Sequence, residues 1–388
     1  MKSAKMGINT ICTHVGEVED KQFRGAISPL YMSSSYAYED VEVKRYPRYF
    51  NTPNQEALCK KIAMLEKSEA ALIFGSGMAA VSTAMLAFLH KGDHVVLPQT
   101  LYGGTYNFVV EEFHKFGIEY SFAEGFSEKD FSEKIKENTT VIFVETPSNP
   151  LMRITDLEMI SKLAKQHGIV TMIDNTFASP VNQTPADFGI DIMIHSATKY
   201  MGGHSDICAG AVAASEEHIK KIWNLAKNLG GSLSDYTVWL LERSMKTMVL
   251  RVKAQNKNAK KMAKWLENHS LVKNVYYPGL KNHLDYQLAK KQMNGYTGML
   301  SFEIVESLNV DEFLKALKMI KPSMSLAGVE STILSPAKTS HSLLSADARK
   351  EQGISDGLLR FSVGIEEVAD IIADFQGAFE KVSKKNLV

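Results

Sequence analysis

The chain reads as an α/β protein, with a mostly parallel sheet in its larger part and a smaller α+β part behind it. Three features predict this. Short apolar runs of strand length alternate with segments of helical period between residues 58 and 200, as in sheets covered by helices on both faces. Polar, chemistry-bearing residues fall where those runs end, at the carboxyl ends of strands, where open α/β sheets bind their ligands. Beyond about residue 245 the pattern changes to alternating strands and long helices.

Composition bounds the function class. With 388 residues and 45% hydrophobic content, the chain can bury a large core. Its length predicts about two domains at ~100–200 residues each. Lys plus Arg equals Asp plus Glu at 44 each, and the charges are interspersed, so neither a nucleic-acid-binding field nor an acidic tail is present. Small-molecule chemistry is the expectation. The three cysteines, Cys12, Cys59 and Cys208, fit neither a disulfide framework nor a Cys-x-x-Cys site and read as free thiols in a reducing cytosol. The first residues lead into no apolar signal core, and no run approaches the ~18 consecutive apolar residues of a membrane span. A cytoplasmic protein with no membrane partner is expected.

Residues 1–55 lack sustained periodicity and carry aromatic clusters, Tyr31, Tyr36 and Tyr38, then Arg45 to Phe50. Disordered tails are poor in aromatics, so an extended arm packed on another surface, including another subunit, accounts for them better. Residues 56–244 form the α/β domain. Leu58, Ile62 and Leu65 share a helical face; Ala70–Phe74 is apolar and runs into Gly75-Ser76-Gly77, after which a helix extends to Leu89. A Gly-Ser-Gly at a helix start either caps the helix or binds an anion on its free first amides. His94–Leu97 is a strand ending at Pro98, followed by a glycine-punctuated loop, 100–105. Thr140–Val144 is a strand closed by Glu145-Thr146-Pro147. Thr155-Asp156-Leu157-Glu158 has the capping-box pattern of a helix that stops at Gly168. Ile169–Ile173 is a strand ending on Asp174. The run Asp191–Ile194 precedes Ser196, Thr198 and Lys199, which puts the lysine at a buried strand's edge. There it is either a partly desolvated amine that reacts with a carbonyl or one more Ser-x-Thr-Lys surface loop. Residues 245–388 form the α+β domain. Met299–Val305 and Leu358–Val363 alternate like half-exposed strands, and Val368, Ile371, Ile372, Phe375, Phe379 and Val382 stripe a final helix.

Taken together, Lys199, the Gly77 and Met78 amides, Ser196, Thr198, Asp174 and Tyr102 supply what a phosphate-bearing aromatic aldehyde needs: an amine, phosphate donors, an acid and a flat surface. At this point the chain resembles, over essentially its whole length, the pyridoxal-phosphate enzymes of cysteine and methionine metabolism. That group contains cystathionine γ-synthase, the cystathionine γ- and β-lyases and methionine γ-lyase. Seven strings carry the resemblance in order: Ser76–Ala80, Tyr102–Thr105, Glu145–Pro150, Asp174–Phe177, Ser196–Tyr200, Ser325-Leu326 with Val329–Ser331, and Leu359–Gly364.

The resemblance implies a fold-type I, aspartate-aminotransferase-like transferase, with pyridoxal 5′-phosphate as cofactor. It assigns Lys199 to the cofactor aldehyde and to proton shuttling, Asp174 to the pyridine nitrogen, and Asn149 to the ring hydroxyl. Tyr102 would lie on the ring and help protonate the leaving group. Gly77, Met78, Ser196 and Thr198 would hold the phosphate, and Arg360 the substrate carboxylate, beside Ser325 and Met324. Tyr46 and Arg48 match a Tyr-x-Arg that reaches the neighbouring subunit's phosphate, and the implied assembly is a homotetramer, a dimer of dimers with shared active sites. The implied activity is trans-sulfuration, foremost a carbon–sulfur lyase on cystathionine- or methionine-like amino acids, alternatively γ-replacement on an activated homoserine. Three departures bear on substrate: Met324 stands where synthases and γ-lyases carry glutamate, Gly104 where methionine γ-lyases carry cysteine, and Ser335 where histidine is frequent. One extra residue follows Phe50. Among the histidines, His195, His204 and His341 lack zinc-ligand spacing, and no metal is expected. Glu145 and Glu330 read as structural.

Overall fold

The structure is a computed structural model describing residues 6–339, 349 and 352–385. The N-terminal arm is not extended throughout. It opens with a helix, α1 (Ile8–His14), that packs on α2 (Pro53–Leu65), and Cys12 is fully buried between them. Buried Lys61 donates from Nζ to the Cys12 carbonyl at 2.9 Å, which offsets the cost of placing an ammonium there. Residues 15–46 then cross the surface without helix or strand.

The larger sheet is built from β1 (Ala70–Phe74), β2 (His94–Pro98), β3 (Glu119–Ala123), β4 (Thr139–Glu145), β5 (Val170–Asp174), β6 (Ile192–His195) and β7 (Gly210–Ala214), in the order β1-β7-β6-β5-β4-β2-β3. Every strand runs the same way except β7, which is antiparallel to both neighbours. The connecting helices are α3 (Gly77–Phe88), α4 (Gly103–Phe116), α5 (Glu128–Ser132), α6 (Leu157–His167) and α7 (Ser179–Asn182), with α8 (Glu216–Leu229) and α9 (Asp235–Met245) after β7. Their apolar faces make two buried clusters, one on each face of the sheet, joined by fully buried strand residues such as Phe143 and Ile173. Burying each such side chain contributes roughly 1.5–3 kcal/mol, which fixes the strand register that aligns the polar strand ends.

Two local expectations need correction. The glycine-punctuated 100–105 segment is not all loop: Gly103 already opens α4, with Tyr102 as the preceding cap position. At α6 the capping residue is Asp156, which accepts the Met159 amide at 3.1 Å, rather than Thr155. The stop at Gly168 holds, with φ +67° in the left-handed region that glycine enters without a Cβ clash.

The second sheet contains β8 (Val272–Tyr276), β9 (Met299–Ile304), β10 (Lys321–Pro322), β11 (Thr332–Leu334) and β12 (Leu358–Ser362), in the order β10-β11-β12-β9-β8. Helices α10 (Met248–Glu267), α11 (Tyr286–Gln292) and α12 (Val310–Ala316) and the C-terminal helix Val368–Lys385 accompany it. The expectation that β9 and β12 are half-exposed is wrong: every residue of both is buried. Their apolar face packs on α10 and the C-terminal helix, whereas Ser301 and Arg360 on the other face meet the larger sheet's loops. Ser301 Oγ donates to the Pro150 carbonyl at 2.7 Å. The period-2 alternation marks a face turned toward protein, not toward water.

Candidate active site

The strand ends converge on one cleft of about 430 Å³. Its first wall is the turn from β1 into α3. Ser76 Oγ caps the helix by accepting the Ala79 amide at 3.0 Å, so the Gly77 and Met78 amides are the first-turn donors left for an anion. Helix α3 starts unusually close to the segment after β6. A Cβ at Gly77 would stand 2.7 Å from Ser196 Cβ and 2.9 Å from its Oγ, so only glycine brings these donors together.

The floor comes from β4, β5 and β6. Asp174 closes β5; its Oδ1 accepts the Thr176 amide at 3.0 Å, and Thr176 Oγ1 in turn accepts the Ser196 amide at 2.8 Å. Burial raises the Asp174 pKa above the usual carboxylate range, against the pull of Thr176, His195 and Lys199. Glu145 closes the adjacent β4 in register with Asp174 and accepts the Tyr102 amide at 2.7 Å. Burial, with Asp174 alongside, raises its pKa further. Thr198 is clasped to β7's approach: its Oγ1 donates to the Ala209 carbonyl at 3.1 Å and accepts the Ala209 amide at 3.0 Å.

Lys199 reaches into the cleft between these groups, and Nζ donates to Ser325 Oγ at 3.3 Å. Burial, reinforced by the Arg360 cation, lowers its pKa below that of an ordinary lysine. Such an amine is more often unprotonated and nucleophilic. The second sheet supplies the opposite wall. Arg360 on β12 is buried, its pKa pushed down to about 10, and donates from Nη1 to Asn149 Oδ1 at 3.1 Å. Ser325 holds φ 115°, a backbone region sparsely used by non-glycine residues and frequent at working sites. Met324 beside it is 72% exposed at the rim. Tyr102 is half-exposed, and its ring and the Met78 sulfur both press on Gly104, where a Cβ would come within 2.6 Å of the ring.

Gly77, Met78, Tyr102, Asn149, Asp174 and Ser196 thus meet Thr198, Lys199, Met324, Ser325 and Arg360 in one cleft. Tyr46 and Arg48 are not among them. Tyr46 precedes and Arg48 lies within the short helical turn Pro47–Tyr49 on the surface, where Arg48 donates to the Lys227 carbonyl and its guanidinium lies 5.6 Å from the Tyr46 ring centroid. Of the histidines, His195 is buried against Glu66 on the far face of the sheet, His204 contacts the Gly202 carbonyl, and His341 lies outside the described residues. Sequence reasoning gives no role to Thr176, the strut between Asp174 and Ser196, although the Asp-Asn-Thr-Phe string contains it. It likewise misses Cys208, exposed at the cleft edge, which no local pattern marks.

The donor set fits a phosphorylated aromatic aldehyde. Helix amides and Ser196 face one end, a carboxylate stands on the floor, an aromatic ring lies at the side and a pKa-lowered amine sits within reach. Comparison with known proteins agrees. Residues 9–380 match the family described as Cys/Met metabolism PLP-dependent enzyme. The chain is 41% identical to cystathionine gamma-lyase of Bacillus subtilis over 96% of this chain and 99% of that one. It is 40% identical to cystathionine beta-lyase of Lactococcus lactis over 96% and 99%. The solved structure of cystathionine gamma-lyase from Lactobacillus plantarum, complexed with L-serine, superposes with a TM-score of 0.94 at 36% identity, covering 97% of this chain and all of that one. This chain belongs to the Cys/Met metabolism family of PLP-dependent enzymes, with the fold-type I architecture and pyridoxal 5′-phosphate as its cofactor.

Proposed function

We propose that the protein is a carbon–sulfur lyase that eliminates a thiol from cystathionine- or methionine-like amino acids, leaving ammonia and a 2-oxo acid. The observation that carries this reading is the Lys199 amine, pKa-lowered and held by Ser325 between Asp174 and Arg360. The identity of about two residues in five with a γ-lyase and a β-lyase supports it. Bound pyridoxal 5′-phosphate supplies the electron sink that makes the substrate's α-proton acidic.

The chain's own residues do the rest. Lys199 holds the cofactor, then takes the α-proton at Nζ and delivers a proton further along the substrate as the thiol departs. Asp174 would hold the pyridine nitrogen, and Tyr102 would cover the ring and assist the leaving sulfur. Gly77 and Met78 amides, Ser196 and Thr198 bind the phosphate. Since the Thr198 proton is engaged by Ala209, that hydroxyl must turn to donate. Asn149 spends its carbonyl on Arg360, which leaves its amide nitrogen for the ring hydroxyl. Arg360 clamps the substrate carboxylate with its two-pronged guanidinium. Met324 puts a thioether at the rim instead of a carboxylate, which favours substrates without a distal ammonium to be bound there, such as methionine.

The arm's exposed load, with Phe23 80% and Tyr38 69% exposed, favours cover by another copy of the chain. The corresponding assembly is a homotetramer, a dimer of dimers, in which Tyr46 and Arg48 serve the neighbour's phosphate. The expected compartment is the cytoplasm; among the described residues no helix is long and apolar enough to cross a membrane.

A product screen over cystathionine, methionine, homocysteine, cysteine and acylated homoserines tests the activity. Release of 2-oxobutyrate or pyruvate with a thiol is expected. Cystathionine accumulating only when cysteine accompanies an acylated homoserine would instead establish γ-replacement. Lys199→Ala abolishes turnover.

A further inference from the structure

Glu145 ends β4 on the cleft floor, is 4% exposed, and is used by none of the roles above. A carboxyl this deep must be hydrogen-bonded to be tolerated. Its Oε2 accepts the main-chain amide of Tyr102 at 2.7 Å. Tyr102 makes no side-chain cap, and its carbonyl is taken within α4 by the Tyr106 amide at 3.0 Å. The bond to Glu145 is therefore what ties this residue back to the sheet. The tie has a definite anchor, because Glu145 is paired in register with Asp174 on the neighbouring parallel strand, so both carboxyls point to the same face. Asp174 and Tyr102 are thereby held relative to one another through one rigid pair of strands.

We propose that Glu145 is a positioning residue, which sets Tyr102 over the cofactor ring by gripping its main-chain amide from the sheet. This rests on the role given to Tyr102 above. It acts through the hydrogen bond and not through its charge, which makes two substitutions diverge. Glu145→Gln keeps an acceptor oxygen at the same reach without an ionisable carboxyl; Glu145→Asp keeps the carboxyl and, one methylene shorter, withdraws from the amide.

The test is kinetics and visible circular dichroism of the holoenzyme variants, with Tyr102→Ala and Glu145→Asp combined in a double-mutant cycle. Glu145→Asp is expected to lower kcat by ~10–100-fold, the scale of an ångström-scale misplacement of Tyr102, and to alter the cofactor's dichroism. Glu145→Gln should stay within about fivefold of the parent. In the Tyr102→Ala background Glu145→Asp should have no further effect. A Gln variant that loses more than the Asp variant overturns the proposal, as do additive losses in the cycle. Tyr102→Ala with unchanged kcat and dichroism would instead refute the assignment of Tyr102 to the ring, and the single variant shows that failure separately.

Discussion

Replacing Gly77 by alanine probes whether the start of α3 and the segment after β6 work as one anion site. The new Cβ would lie 2.7 Å from Ser196 Cβ and 2.9 Å from its Cα and Oγ. Carbon atoms pack best at roughly 3.5–4.0 Å, so the two segments must part by about 1 Å. A hydrogen bond of ordinary length stretched that far is lost. The substitution therefore removes about one charge-assisted bond to the cofactor phosphate, ~1.5–3 kcal/mol, and raises the cofactor Kd by ~10–150-fold. Fold and sheet should survive, because the strain sits at the cleft edge. Apoenzyme titrated with pyridoxal 5′-phosphate and followed by visible absorbance gives the Kd; far-UV circular dichroism checks the fold. A folded variant with a Kd within twofold of the parent refutes the reasoning.

Gly377→Ala is the contrasting case: it lies inside the C-terminal helix, where a Cβ would meet nothing within 4 Å, and should stabilise by ~0.5–1 kcal/mol. Calorimetry should show a Tm rise of roughly 1–3 °C with cofactor affinity unchanged, and a lower Tm would count against it. Arg360→Lys keeps the charge but loses the two-pronged donor and the bond to Asn149. Steady-state kinetics should show KM raised by ~10–100-fold with a smaller change in kcat, and an unchanged KM removes Arg360 from the substrate carboxylate. His94 is buried between Thr139 Oγ1 at 2.8 Å and Ser121 Oγ at 2.9 Å, and burial pushes its pKa from 6.5 down to about 4. The unfolded chain then binds the proton first as pH falls, so this contribution is full above pH 6.5 and drains away toward about 4. After allowance for solvent screening it is on the order of 2 kcal/mol, so His94→Gln should lose less Tm than the parent between those limits, and equal losses would exclude the linkage.

The strands that end in chemistry are the legible ones. Val170–Asp174 and His94–Pro98 are apolar, bounded by punctuation and buried on both faces, so their pattern and their structure coincide. In the larger sheet two strands escape that signal. Gly210–Ala214 is mostly glycine and alanine, a composition without strand preference, and Glu119–Ala123 is a partly exposed edge. The alternation in Met299–Ile304 is plain, but which side is wet is not, since a hydrogen-bonding face looks the same against water or another domain. At the site, Lys199, Asp174 and Arg360 can be read from residue type and family pattern. Thr176 cannot, and Glu145 is legible only as structural without a target, because each acts on a main-chain amide, and the string of letters does not say whose amide is near. Tyr46 and Arg48 lie away from this chain's own cleft, which is the placement that the shared-site assembly proposed above requires.

Strand β7 lies between β1 and β6 and carries almost no side-chain bulk. A Cβ on Gly210 would fall 2.0 Å from the carbonyl oxygen of Ser76. The strand thus works as a shim whose thinness fixes how low α3 can sit on the sheet. Because Ser76 leads directly into the Gly77 and Met78 amides, the stack height under the proposed phosphate site is measured out in missing methyl groups. A machinist would call this a tolerance, and it is one that a single added carbon would exceed.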